Sequence, residues 1–111
     1  TWLGMAIDTD TGRPVFERVF AGLSGPAIFP LALRMVWEAC SSVSIPVIGC
    51  GGVTSAKDCL AMLMAGATAV EIGTAMFLDL QSGKKLSSGL EEYLLARGLD
   101  GLNDIIGKAR R

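Results

Sequence analysis

Short apolar runs alternate with turn chemistry and helical stripes along this chain. Residues 3–8 (Leu-Gly-Met-Ala-Ile-Asp) read as a first strand, Thr9-Asp10-Thr11-Gly12 as a turn, and residues 15–20 as the return strand of a hairpin. Residues 21–26 are rich in glycine and read as a flexible loop, with Pro26 at the start of a helix, where its missing N–H costs little. That helix is expected over residues 27–39, with Leu31, Met35 and Val36 on one stripe and Ser41-Ser42 at its end. Ile45-Pro46-Val47-Ile48 is short, β-branched and uncharged, as a buried parallel strand is. A second helix opens at Ser55-x-x-Asp58, a capping box with Asp in place of Glu. Leu60, Leu63 and Met64 are its apolar stripe and Gly66 its stop. Residues 68–72 form the next strand. A last amphipathic helix is expected over 88–97, opened by Ser88-x-x-Glu91 and stopped by Gly98, with a short helix near 102–106.

The order is hairpin, α, β, α, β, α, α. Two parallel strands joined by a helical crossover, with both outer edges open, make a poor sheet on their own. Strand edges of this kind imply either part of a larger α/β barrel or association with another chain.

Glycine-bearing turns stand at both strand ends: Gly49-Cys50-Gly51-Gly52 and, 22 positions from Gly51, Gly73-Thr74. Backbone N–H groups at consecutive strand ends can converge on one phosphate, and (β/α)₈ barrels frequently place their phosphate site after the last two strands. Helix N-termini near residues 54–55 would add to it. Ser24-Gly25, in a loop entering a helix, is a third candidate for anion contact. Each turn taken alone also reads as an ordinary tight connection that needs a positive φ.

Composition narrows the chemistry. The chain has no histidine, which removes Ser–His and Cys–His nucleophiles and the commonest transition-metal ligand from it. Cys40, Cys50 and Cys59 form no C-x-x-C pair, so neither a disulfide framework nor a zinc site is indicated, and a reducing cytoplasm is expected. Cys50, beside the ligand loop, reads as a small packing residue more readily than as a nucleophile. Glu71 is unusual in an apolar strand: it either pairs with a basic group or lies on a polar barrel face. With 10 basic and 11 acidic residues there is no basic stripe for nucleic acid. No apolar run is long enough for a membrane span, and Thr1-Trp2-Leu3 does not look like the start of a signal peptide.

Several strings are more specific than any single turn: Gly4-Met5-Ala6-Ile7-Asp8, Gly22-Leu23-Ser24-Gly25-Pro26, Ile45-Pro46-Val47-Ile48-Gly49-Cys50-Gly51-Gly52 and Val70-Glu71-Ile72-Gly73-Thr74-Ala75. Their order and spacing resemble the C-terminal part of dihydroorotate dehydrogenase, most closely the class 1B, NAD-linked catalytic subunit. The resemblance implies that residues 1–111 are the C-terminal segment of an FMN-binding (β/α)₈ TIM barrel: its last two to three βα units plus a β-hairpin excursion. It implies that Gly25, Gly51, Gly52, Gly73 and Thr74 contact FMN, the two pairs at its phosphate, and that Thr1 hydrogen-bonds the substrate. It implies oxidation of dihydroorotate to orotate in pyrimidine synthesis, a homodimer, and an electron-transfer subunit holding FAD and a 2Fe–2S cluster. The family's catalytic cysteine base and its flavin-contacting lysines lie upstream of the matching region, so no catalytic residue and no metal ligand is expected here. Cys50 does not match that base. Ala21 and Phe29 depart from the family pattern, which has glycine and often lysine there. The rival readings are another phosphate-binding barrel, whether a flavin oxidoreductase or a sugar-phosphate enzyme, and a non-catalytic barrel fragment.

Overall fold

A computed structural model describes residues 2–111. A two-stranded antiparallel ribbon leads into an α/β unit. The ribbon pairs β1 (Trp2–Met5) with β4 (Phe20–Leu23), and β2 (Ile7–Asp8) with β3 (Arg13–Pro14). Asp8 closes the tip: its carboxylate accepts from the N–H groups of Asp10 (2.9 Å) and Thr11 (3.2 Å), which lowers its pKa.

The hairpin is therefore present, but its return strand is not residues 15–20. Val15 N–H still reaches Ala6 O (3.0 Å); the chain then loops out before rejoining the ladder at Phe20. Val19 takes a left-handed φ of 66°, which a β-branched residue rarely adopts and which ends strand geometry there. Residues 21–23, expected as loop, are the strand instead.

A 3₁₀ turn at Pro26–Ile28 runs into α1 (Phe29–Ser42). Ser41 and Ser42 continue this helix rather than end it, their hydroxyls donating back to Trp37 O and Glu38 O (both 2.8 Å). The buried stripe is Ile28, Ala32 and Val36; Leu31 and Met35 are exposed, contrary to the periodicity reading. Small Ala32 faces Gly51 so closely that no larger residue fits between helix and strand, and this contact sets the helix rotation.

The parallel strand is β5 (Ile48–Cys50), three residues beyond the start of the expected run at Ile45, because Pro46 has no N–H to give a ladder. β5 pairs in parallel with β6 (Ala69–Glu71), in the register Ile48↔Ala69, Gly49↔Val70 and Cys50↔Glu71. Between them lies α2 (Ala56–Met64). Its capping box forms as expected, and Gly66 (φ 117°) stops it. Leu60 and Leu63 are buried with Met62 and Cys59, while Met64 is only half-buried.

Beyond β6 comes α3 (Thr74–Leu78), which no sequence signal announced, then α4 (Ser82–Arg97). Ser88-x-x-Glu91 lies inside α4 and starts nothing. The helix starts instead at Ser82, with Gln81 as N-cap and no side-chain cap; the turn before it is held by Asp79, whose carboxylate accepts from Gln81 N–H (2.9 Å) and pairs with Lys85, while Ser82 Oγ donates to Asp79 O (2.6 Å). Gly89 lets α4 approach α2 closely: a Cβ there would lie 2.5 Å from Ala56 Cβ. Gly98 (φ 60°) caps α4, and the expected short helix near 102–106 is a pair of 3₁₀ turns, Leu102–Asp104 and Lys108–Arg110. Arg110 ties the last turn to α1, donating to Ser41 Oγ (3.1 Å) and lying over the Trp37 ring.

The core sits on one face of the parallel pair, around Met62, Ala65, Ala67 and Val36, with Leu60, Leu63 and Ile105 adjoining it. The opposite face of the pair is exposed. An apolar groove of about 560 Å³ runs beside β5, between Trp2, Met35, Val36 and Ile48.

Candidate functional site

Three chain segments meet at the carboxyl ends of β5 and β6. Ser24 and Gly25 come from the end of β4, residues 50–54 from the turn after β5, and residues 71–75 from the turn after β6. Together they line a cavity of about 160 Å³. Gly25, Gly51, Gly52, Gly73 and Thr74, the residues singled out in the sequence, all line it. Thr1 lies outside the described residues.

Three of the four glycines are required by the local structure, Gly51 and Gly52 for close packing and Gly25 for its backbone conformation. Gly52 (φ 70°) packs against the start of α1: a Cβ would sit 2.6 Å from Phe29 N and 2.8 Å from Gly25 O. Gly51 (φ 128°) would place a Cβ 2.7 Å from Ala32 Cβ. These two glycines dock the turn onto α1 and thereby fix the cavity wall. Gly25 (φ 86°) is needed for its backbone conformation, with Thr74 Cγ2 3.7 Å from a built Cβ. Gly73 is required by neither: its φ is −118° and a Cβ would meet nothing within 4 Å. The space beside it is open cavity. The walls are held together by one hydrogen bond across 50 residues of sequence, Thr74 Oγ1 donating to Ser24 Oγ (2.8 Å).

The donors at the cavity differ from those the sequence suggested. The N–H groups of Thr54 and Ser55 are already taken by the Asp58 carboxylate (both 3.0 Å), and Thr54 Oγ1 donates to it as well (3.1 Å). Burial alone would raise the Asp58 pKa, but these hydrogen bonds from Thr54 and Ser55 together outweigh it and lower the pKa. The start of α1 is likewise occupied, since Ile28 N–H reaches Gly25 O (3.2 Å) and Phe29 N–H reaches Pro26 O. The N–H groups of Gly52, Val53, Gly73 and Thr74 make no hydrogen bond among the described residues. They are among the donors left for an anion, with the Ser24 and Thr74 hydroxyls beside them. Among the described residues no Lys or Arg lines the cavity.

The remaining candidates separate. Cys59 is buried in α2; burial first, and Asp58 second, push its thiol pKa up. Cys40 is half-buried against the core, and Cys50 is exposed at the cavity. Glu71 is exposed at the cavity and makes no ion pair among the described residues. Among the described residues no cluster of His, Cys, Asp or Glu could hold a metal, and no helix is long and apolar enough to cross a membrane.

The family model described as Dihydroorotate dehydrogenase matches residues 1–94. A protein named Dihydroorotate dehydrogenase B (NAD(+)), catalytic subunit, from Geotalea daltonii is 47% identical over 107 residues, covering 96% of this chain and 35% of that protein. The protein of the same name from Thermoanaerobacter pseudethanolicus is 49% identical over 110 residues, 99% of this chain and 36% of its own length. The chain thus spans about a third of the curated relatives it matches. Among solved structures, a crystal structure of DHODH from Eimeria tenella in complex with ferulenol superposes with a TM-score of 0.77 at 23% identity, over 97% of this chain and 30% of that one. That likeness makes the fold part of an α/β barrel, as the βα order implied.

Proposed function

The chain belongs to the dihydroorotate dehydrogenase family, and from that premise we propose that residues 1–111 are the C-terminal segment of an FMN-binding barrel domain. The complete protein then oxidises dihydroorotate to orotate in pyrimidine synthesis. Electrons pass to NAD through a partner subunit carrying FAD and a 2Fe–2S cluster; the catalytic subunits pair as a homodimer, and the assembly works in the cytoplasm. The names of the relatives, which include NAD(+) and "catalytic subunit", support the acceptor and the partner.

The observation that carries the reading is the convergence of three glycine-bearing turns on one cavity with unspent N–H donors. The residues fit a phosphate monoester. Gly73 leaves room for close approach, Gly52, Val53, Gly73 and Thr74 offer N–H groups, and the Ser24–Thr74 hydroxyl pair offers one further donor. FMN, when bound, supplies the acceptor for a hydride from the substrate. This chain's share is binding and orientation: the turn after β5 and the turn after β6 hold the phosphate, Gly25 lets the hairpin close over it, and Thr1 contributes a hydrogen bond to the substrate. The base that takes the substrate proton lies elsewhere in the protein.

Flavin titration of the complete, flavin-stripped protein tests the reading. FMN should bind at least about tenfold more tightly than riboflavin, which lacks the phosphate, a difference of about 1.4 kcal/mol. Anaerobic dihydroorotate should then bleach the bound flavin. Equal affinity for the two flavins would sink the phosphate assignment, and a flavin that dihydroorotate leaves oxidised would sink the substrate.

A further inference from the structure

One charge on the β5–β6 pair is left over by the phosphate reading. Strand alternation turns Gly49 and Val70 toward α2: a Cβ on Gly49 would touch Met62 and Ala67, and Val70 packs against the core. Their neighbours Cys50 and Glu71, which are register partners, occupy the opposite face. Both are exposed there, and both line the cavity. The Glu71 carboxylate makes no ion pair or hydrogen bond, and no basic residue lines the cavity, among the described residues.

Two physical demands meet at this carboxylate. Parallel strands belong to sheets covered on both faces, and here one face and one edge of β5 are bare. Once that face is covered, Glu71 leaves water, and a buried carboxylate without a partner is strongly unfavourable. A phosphate monoester in the same cavity adds like charge, against which backbone N–H groups set only partial charges. One cation answers both demands. We infer that Glu71 anchors a Lys or Arg side chain that reaches the cavity from the barrel strands covering this face, and that this cation bridges Glu71 and the ligand's phosphate. Glu71 is then a positioning residue, acting on the ligand through the cation. The inference rests on the phosphate reading of the cavity.

The test compares FMN and riboflavin affinities by flavin fluorescence in the complete, flavin-stripped protein and in its Glu71→Gln variant. The expected result is FMN binding weakened about tenfold, as loss of a charge-assisted contact implies, with riboflavin binding changed less than about twofold on the same basis. The dependence of FMN affinity on salt should flatten as well. FMN bound as tightly as before, or more tightly, would mean that Glu71 merely repels the phosphate, and would overturn the inference. The FMN-to-riboflavin ratio of the unaltered protein reports separately on the phosphate reading itself. If the variant does not fold, a crystal structure of the complete protein with FMN decides: a Lys or Arg nitrogen within about 4 Å of the Glu71 carboxylate is expected, and its absence overturns the inference.

Discussion

Replacing Gly52 by alanine should damage the fold, whereas the same change at Gly73 should damage only the ligand site. At Gly52 the new Cβ would meet three backbone atoms, Phe29 N at 2.6 Å, Phe29 Cα at 2.7 Å and Gly25 O at 2.8 Å. No side chain can rotate away, so α1 must shift from the turn. Overpacking of that kind costs about 1–3 kcal/mol. The left-handed φ of 70° is a second penalty, of about 1 kcal/mol for a residue with a Cβ. The sum, about 2–4 kcal/mol, corresponds to a fall in Tm of roughly 4–8 °C at about 2 °C per kcal/mol in the complete protein, which by its relatives is about three times this chain's length. At Gly73 neither penalty applies, because φ is −118° and the Cβ enters open cavity. Thermal unfolding followed by circular dichroism should leave Gly73→Ala within about 2 °C of the parent, as a change of about 0.5 kcal/mol or less implies. FMN titration should show affinity lost in both variants. A Gly52→Ala protein with an unchanged Tm would refute the claim that this glycine exists to dock the turn onto α1. A large Tm loss in Gly73→Ala would refute the separation of the two roles.

Three further outcomes follow from the same contacts. Asp58→Ala should cost about 1 kcal/mol at neutral pH by urea unfolding, the usual worth of a helix cap. Because the folded pKa of Asp58 lies below the unfolded value of 3.8, its contribution is present above about pH 4 and is lost as pH falls through the folded pKa, so parent and variant should converge in acid. Met62→Ala should cost about 2–5 kcal/mol, since Met62 is fully buried between α2 and β5; a smaller loss in urea would mean that the core collapses around the gap. With a thiol reagent, Cys59, buried in α2, should react only on unfolding, which peptide mass mapping with and without urea resolves.

Local signals that involve one segment were legible in the sequence. The Ser55–Asp58 box, the Gly66 and Gly98 stops and the parallel pairing of the two strands stand as read. Errors arose where a distant contact decided the outcome. The stripe of α1 turned from Leu31 and Met35 to Ala32 because Gly51 packs there, and no helical periodicity contains that strand. Ser88 resembles a cap but lies inside α4, whereas the true start at Ser82 has no side-chain cap and follows a turn held by Asp79, so no capping signal marks it in the sequence. The site's five glycine-turn residues were identifiable as turns, and the cavity collects all five. Which N–H groups remain unspent was not legible, because it depends on Asp58 claiming those of Thr54 and Ser55.

The hydroxyl contact between Ser24 and Thr74 joins segments 50 residues apart. A pocket assembled from such remote pieces exists only when a long loop has closed, and loop closure carries an entropic cost that local helices escape. Ligand occupancy therefore depends on two quantities, the intrinsic affinity of the closed pocket and the fraction of molecules in which the hairpin has docked. Substitutions in the ribbon, far from any ligand, should lower apparent affinity through that fraction alone. Excess ligand should rescue them by pulling the ensemble toward the closed form, in contrast to changes that remove a donor from the closed pocket itself.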